Sequence, residues 1–317
     1  MADKFSKKPL LAWELRKKRE DGIKYEKLEI KANDPATPVS SDKLRFVCIS
    51  DTHDWFSRII ERQKIPDGDV LLHAGDITMD GDPESINDFN RLLPQLPHKV
   101  KVVIGGNHDV CLDQHLLDTN SKYCVYTGTS KPDVESYVRS QTQSHDKTEA
   151  RHLLTNCIYL ESSMVDICGV KIFGAPWNVK HARFWAFSRE RGEPLLEKWN
   201  QIPENVDILL THSPPLGYGD KSLKHSHVGC VDLLNVVQNV VKPKYHIYGH
   251  IHEGYGIRTD GQTIFINAAN CTKSYRPINR PIVFDYNLPE GHSKAELLRR
   301  RMPVGYSSRE FLETTRL

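Results

Sequence analysis

The chain has 317 residues, 38% of them hydrophobic and 26% charged. That is enough to bury the core of one large or two ordinary domains, and it argues against wholesale disorder. Forty-three basic residues against 41 acidic leave a formal net charge of +2, which excludes a general polyanion binder. No apolar run approaches the ~18 residues of a membrane helix, and the N-terminal MADKFSKKPL lacks the apolar stretch of a secretory signal. An intracellular, cytoplasmic protein is expected.

Seven cysteines, an odd number without a C-x-x-C pair, read as reduced thiols, several of them core filler in runs such as Phe46-Val47-Cys48. Charge is uneven along the chain. Residues 1–45 carry a net +4, residues 287–317 a net +2, and the stretch between them a net −4. An acidic centre disfavours long nucleic acid as a partner.

In chain order, residues 1–43 form a polar extension, with a charged helix expected over 10–31 and a linker over 33–41 that contains Pro35 and Pro38. At Leu44 the texture changes to short β-rich apolar runs: 44–50, 69–73, 100–104, 157–160, 164–168, 170–173, 206–210, 245–248, 263–266 and 282–286. Helical periodicity appears over 84–93 (Ile86, Phe89, Leu92, Leu93) and over 231–241 (Leu233, Leu234, Val237, Val240, Val241). Residues 122–151 read as a polar surface insertion with some helix. Residues 287–317 form a charged tail with a helical stretch that includes Arg299-Arg300-Arg301. That run and Arg16-Lys17-Lys18-Arg19 read as solvated helix faces. Alternating strand and helix over 44–286 make this an α/β domain.

Five of the strand runs end abruptly in polar clusters: Asp51-Thr52-His53, Gly75-Asp76, Gly105-Gly106-Asn107-His108-Asp109, Thr211-His212 and Gly249-His250-Ile251-His252. Ligand sites of α/β sheets lie beyond the carboxyl ends of strands. Alternate residues of an extended segment point the same way, so D-x-H at 51 and 53 and H-x-H at 250 and 252 each aim two donors to one side. The donors are nitrogen and oxygen without thiolate, a set suited to Mn, Fe, Zn or Co rather than a structural zinc. There are more donors than one ion needs, so Asp76 is the natural carboxylate bridge between two ions. His108, beside Asn107, is the natural proton donor to a leaving oxygen.

The series D-x-H, G-D, G-N-H-D, T-H and G-H-x-H, in this order after strands, resembles the calcineurin-like metallophosphoesterase superfamily. Gly75-Asp76-Ile77-Thr78 followed by Gly81-Asp82-Pro83 resembles class III cyclic-nucleotide-type phosphodiesterases. The segments FVCISDTH, IFGAPWN, LLTHSPPLGYGD, GHIHEGYG and FINAANC resemble the metallophosphoesterase-domain-containing (brain 239-type) proteins.

The resemblance covers about 44–286 and implies a sandwich of two mixed β-sheets flanked by α-helices. It implies that Asp51, His53, Asp76 and His252 bind one ion, and Asp76, Asn107, His212 and His250 a second. Manganese is expected first, with Fe, Zn, Co or Mg as alternatives. Asn107 and His108 would bind substrate, and His108 and Asp76 would be catalytic. Protein phosphatases of the superfamily continue the second block as G-D-x-V-D-R-G, whereas this chain has Gly75-Asp76-Ile77-Thr78-Met79-Asp80-Gly81 without the Arg. The implied activity is therefore a phosphodiesterase on cyclic nucleotides or related small diesters, in which hydroxide held between the ions attacks phosphorus in line. The alternative is a non-catalytic nucleotide-binding or scaffolding module on the same fold.

Other polar and aromatic residues have simpler readings. His73 is expected to pack, His225 and His227 to be solvated loop residues, and Trp177 either to stack on a base or to fill core. The turn Gly217-Tyr218-Gly219-Asp220 has the same two readings.

Overall fold

A computed structural model describes residues 1–17, 33–63, 65–119, 130–180, 185–223 and 226–299. Thirteen strands are assigned there: β1 Lys43–Ile49, β2 Val70–His73, β3 Val100–Val103, β4 Ile158–Tyr159, β5 Ser163–Ile167, β6 Val170–Ala175, β7 Asn178–Val179, β8 Ser188–Arg189, β9 Ile208–Thr211, β10 Tyr245–Tyr248, β11 Gly256–Thr259, β12 Ile264–Asn267 and β13 Ile282–Asn287. One sheet runs β13-β1-β2-β3-β4 and the other β11-β12-β10-β9-β6-β5, with β7 and β8 as a small separate pair. β1 to β4 are mutually parallel and β13 closes their edge antiparallel. β6, β9, β10 and β12 are parallel, with β5 and β11 antiparallel at the edges. Both sheets are thus mixed, as the resemblance implies.

Parallel strands covered on both faces read as continuous apolar runs, and β1 shows how one strand serves two layers. Leu44, Phe46 and Cys48 join a buried cluster with Ile208, Leu210, Ile247 and Ile266 of the opposite sheet. Val47 and Ile49, on the other face, join the helices through Ile59, Ile86 and Phe89. The helix Pro83–Leu92 begins where Asp82 accepts from the Ser85 N–H at 2.8 Å with Pro83 in the first turn, and it turns Ile86 and Phe89 inward.

The helices Phe56–Gln63 and Glu193–Trp199 and the edge strand β11 were not read from the sequence. They are short or lack a full period, so packing decides them. The stretch read as a surface insertion contains the helix Lys131–Thr142, which buries Val134 and Val138 and opens with a Ser130–Asp133 capping box; it is part of the packed body. The expected helix over 231–241 is α only to Val236, then π over Val237–Val241. The expected helix over 10–31 is described as Pro9–Lys17; its remainder, Cys124, His225, Arg300 and Arg301 lie outside the described residues. The other six cysteines are free and buried. Among the described residues no helix is long and apolar enough to cross a membrane.

Candidate metal centre

β1, β2, β3, β9 and β10 deliver their polar clusters to one end of the sandwich, where an isolated bridge between Ser50 and Ala269 ties the two sheets. Three groups of donor atoms form there, each within 4.8 Å: Asp51, His53 and His252; His53, Asp76 and His108; Asp76, His212 and His250. Asp76 belongs to two of them. Its Oδ2 lies 3.8 Å from His53 Nε2 and 3.2 Å from His212 Nε2. Asn107 Oδ1 is 3.1 Å from His212 Nε2. All seven residues read from the sequence as ligands, and His108 with them, are therefore brought together.

The imidazole bonding tests whether these residues suit a metal. Nδ1 of His53, His108, His212 and His252 lies 3.1, 2.6, 2.8 and 2.8 Å from the carbonyls of Thr78, Met79, Ala74 and Thr272. A carbonyl only accepts, so each Nδ1 carries a proton and each ring turns its Nε2 to the centre. There His53 Nε2 faces His252 Nε2 at 3.3 Å and His252 Nε2 faces Asp51 Oδ1 at 3.1 Å. Such converging atoms need a proton or a cation among them, and a ring anchored to a carbonyl through its other nitrogen is the usual setting of a metal-bound His. The donor set fits divalent ions.

Electrostatics agree. Burial would raise Asp76, yet the imidazoles of His212, His108 and His53 hold its carboxylate well below the usual range. Burial opposes protonation of His212 and His252, but Asp76 and Asp51 overcome it and raise both to about 9. Burial and His212 instead lower His250 to about 3. The field of the two carboxylates is thus answered by protons on two Nε2 atoms, which a cation would displace. At pH 7, Mn²⁺ binding is expected to release about two protons, and affinity should rise with pH up to about 9. Calorimetry in two buffers of different ionisation enthalpy measures the release; none at all would mean that His212 and His252 do not ligate.

The backbone at these positions is strained. Asp51, His53, Asp76 and His250 all have left-handed φ, at 53°, 42°, 54° and 65°. Such non-glycine residues cost on the order of 1–3 kcal/mol each and cluster at functional sites. Bonds between strand ends hold them: within one sheet Asp51 N–H donates to the Gly75 carbonyl at 2.9 Å, and across the sheets His250 N–H donates to the Asp51 carboxylate at 2.9 Å.

One supporting residue is not legible from the sequence alone. Asp109 is buried and accepts from the N–H groups of Gly106, Ile77 and Thr78 at 2.8, 3.1 and 2.9 Å, lacing the second block to the third. Its signal in the sequence is the last letter of G-N-H-D. His73 packs, as expected, and also donates Nε2–H to Thr52 Oγ1 at 3.0 Å while its Nδ1 accepts from Gly75.

One reading needs correction and one open choice is decided. His227 is not solvated: it is buried and paired with Asp220 at 2.6 Å. Trp177 is buried, with Nε1–H donating to Ser162 Oγ at 2.8 Å, so it fills core. Tyr218 likewise stacks on Phe265 in the core.

Comparison with known proteins agrees with this geometry. Residues 44–254 match the family described as calcineurin-like phosphoesterase. The chain is 46% identical over 248 residues to human metallophosphoesterase domain-containing protein 1, covering 77% of this chain and 72% of that protein. It is 42% identical over 281 residues to UPF0046 protein T07D4.2 of Caenorhabditis elegans, covering 89% and 68%. It is 40% identical over 300 residues to UPF0046 protein C25E10.12 of the same worm, covering 93% and 98%.

Proposed function

The chain belongs to the calcineurin-like phosphoesterase family, and from that premise we propose a metal-dependent phosphodiesterase acting on cyclic nucleotides or related small phosphodiesters. The observation that carries the reading is the convergence of imidazole Nε2 atoms and two carboxylates on shared points, with each anchored Nδ1 tied to a carbonyl. Asp51, His53, Asp76 and His252 would hold one ion. Asp76, Asn107, His212 and His250 would hold the other, with Asp76 shared. Manganese is the first choice of metal and Fe, Zn, Co or Mg the alternatives. When bound, such ions neutralise phosphate oxygens and make water a nucleophile near neutral pH.

The chain's own groups set the rest. Asp51 and Asp76 are fully buried or nearly so and remain anionic, so they exclude a second anion from their own positions. His108 donates its backbone N–H to Asp76 Oδ1 at 2.8 Å, and its ring packs 4.2 Å from Trp185 and 4.7 Å from His53. With Nδ1 bonded to Met79 O, only Nε2 is available to hold a phosphate oxygen and protonate the departing one. The absence of an Arg after Asp76 supports a diester over a phosphoprotein.

The test is hydrolysis of bis(p-nitrophenyl) phosphate with Mn²⁺ beside a sample stripped with EDTA. Turnover should vanish on stripping and return when Mn²⁺ is restored, after which cyclic nucleotides are compared. No turnover with two ions bound would sink the diesterase reading and favour the nucleotide-binding module.

A further inference from the structure

We infer that the N-terminal segment backs the substrate-binding wall from outside, with Trp13 as the residue that positions it; this deepens the phosphodiesterase reading and rests on it. The segments 213–223 and 226–230 follow the candidate ligand His212 and lie beside His250. A cavity of about 450 Å³ there includes Arg191, Ser213, Ser222, Ser226, His250 and Lys273 in its lining. Two cations and three hydroxyls next to a candidate ligand suit the part of an anionic diester that extends away from the ions.

The loop is knotted by one buried carboxylate. Asp220 Oδ1 pairs with His227 Nδ1 at 2.6 Å, Oδ2 accepts from Gly229 N–H at 2.9 Å, and the Asp220 carbonyl accepts from Val228 N–H at 3.2 Å. Arg191 in turn donates to the carbonyls of Val228 and Gly229. Ser222 and Ser226 lie between the two ends so joined, with Ser222 N–H donating to the Ser226 carbonyl at 3.2 Å.

Trp13 closes the knot from outside. Its ring lies 4.0 Å from that of His227, and at Gly217 (φ 92°) a Cβ would come within 2.3 Å of the indole. The helix carrying Trp13 is itself clasped. Arg16 bonds Asn235 and ion-pairs with Asp3 at 3.5 Å; Asp3 N–H donates to Asp232, and Ala2 N–H to Glu193, each at 2.7 Å. Trp13 meets the loop at His227 and Gly217. Loosening the wall therefore weakens hold on the substrate while the ligands stay in place.

Trp13→Ala is expected to raise KM for bis(p-nitrophenyl) phosphate about tenfold, with kcat within about threefold and Mn²⁺ affinity unchanged, because only binding common to ground and transition states is lost. Trp13→Phe, which keeps a ring over His227, should restore most of the loss. Hydrogen exchange at the Val228 and Gly229 amides should rise about tenfold or more, while Leu72 and Leu210 stay protected. If Trp13→Ala fails to fold, Trp13→Leu, which keeps apolar volume without the ring, decides the same points. An unchanged KM, equal losses in kcat and Mn²⁺ binding, or unaltered exchange at Val228 and Gly229 would overturn the inference. Should the wild-type protein hydrolyse no diester, the activity falls by itself, and the exchange measurement alone decides whether Trp13 holds the loop.

Discussion

Asp76→Asn should lower metal-dependent diester hydrolysis on the order of 10³-fold while leaving the protein folded. The substitution keeps the shape and an oxygen able to accept from His108 N–H, a bond now 2.8 Å long. It removes the charge shared by two donor groups, beside His53 and His212. Transition-state charge stabilisation of several kcal/mol depends on ions held there, and each ~1.4 kcal/mol is a factor of ten. The expected companion result is loss of one Mn²⁺ equivalent in calorimetry. Activity within about tenfold of wild type, with both ions retained, would show that Asp76 is not the bridge.

Gly249→Ala should be nearly as damaging by a different route. Gly249 lies where β10 ends against β1, and a Cβ there would come 1.9 Å from Asp51 Oδ2 and 2.2 Å from Ser50 Oγ. Neither neighbour has room to yield. Asp51 and Ser50 are fully buried, and Asp51 also accepts from His250 N–H. The carboxylate must shift by more than an ångström or the two sheets must part at the Ser50–Ala269 bridge. Overpacking of this kind costs roughly 1–3 kcal/mol, and either outcome spoils the group of Asp51, His53 and His252. A fall in thermal midpoint together with weakened Mn²⁺ binding is expected. A variant with wild-type stability and metal affinity would mean that the strand ends approach less closely.

Much of this was legible one strand at a time. β1 announces itself as an apolar run that stops at Asp51, and β10 as one that stops at Gly249. A buried parallel strand must be apolar until it leaves the sheet, so a sudden carboxylate or imidazole marks the sheet's rim. Five such endings in order gave the candidate ligands and, through the resemblance, the fold. The short helices, Asp109 and the packing of His227 were not legible in the same way. Asp109 is a satisfied buried carboxylate rather than a loop acid only because Ile77 and Thr78, over 30 positions earlier, turn their N–H groups to it. His227 was expected in solvent because its neighbours in the chain are polar, yet the indole that covers it belongs to Trp13.

By itself, then, the sequence determined which residues stand at the ends of which strands, since apolar patterning and D-x-H or H-x-H spacing are local properties of the chain. Only the tertiary structure decided that His252 Nε2 meets Asp51 across 201 positions, that four of the candidate ligands sit at left-handed φ, and that Trp13 backs the loop beside His250. Those outcomes depend on contacts between sheets and on strain that hydrogen bonds between strand ends offset, and no window of neighbouring residues contains both partners.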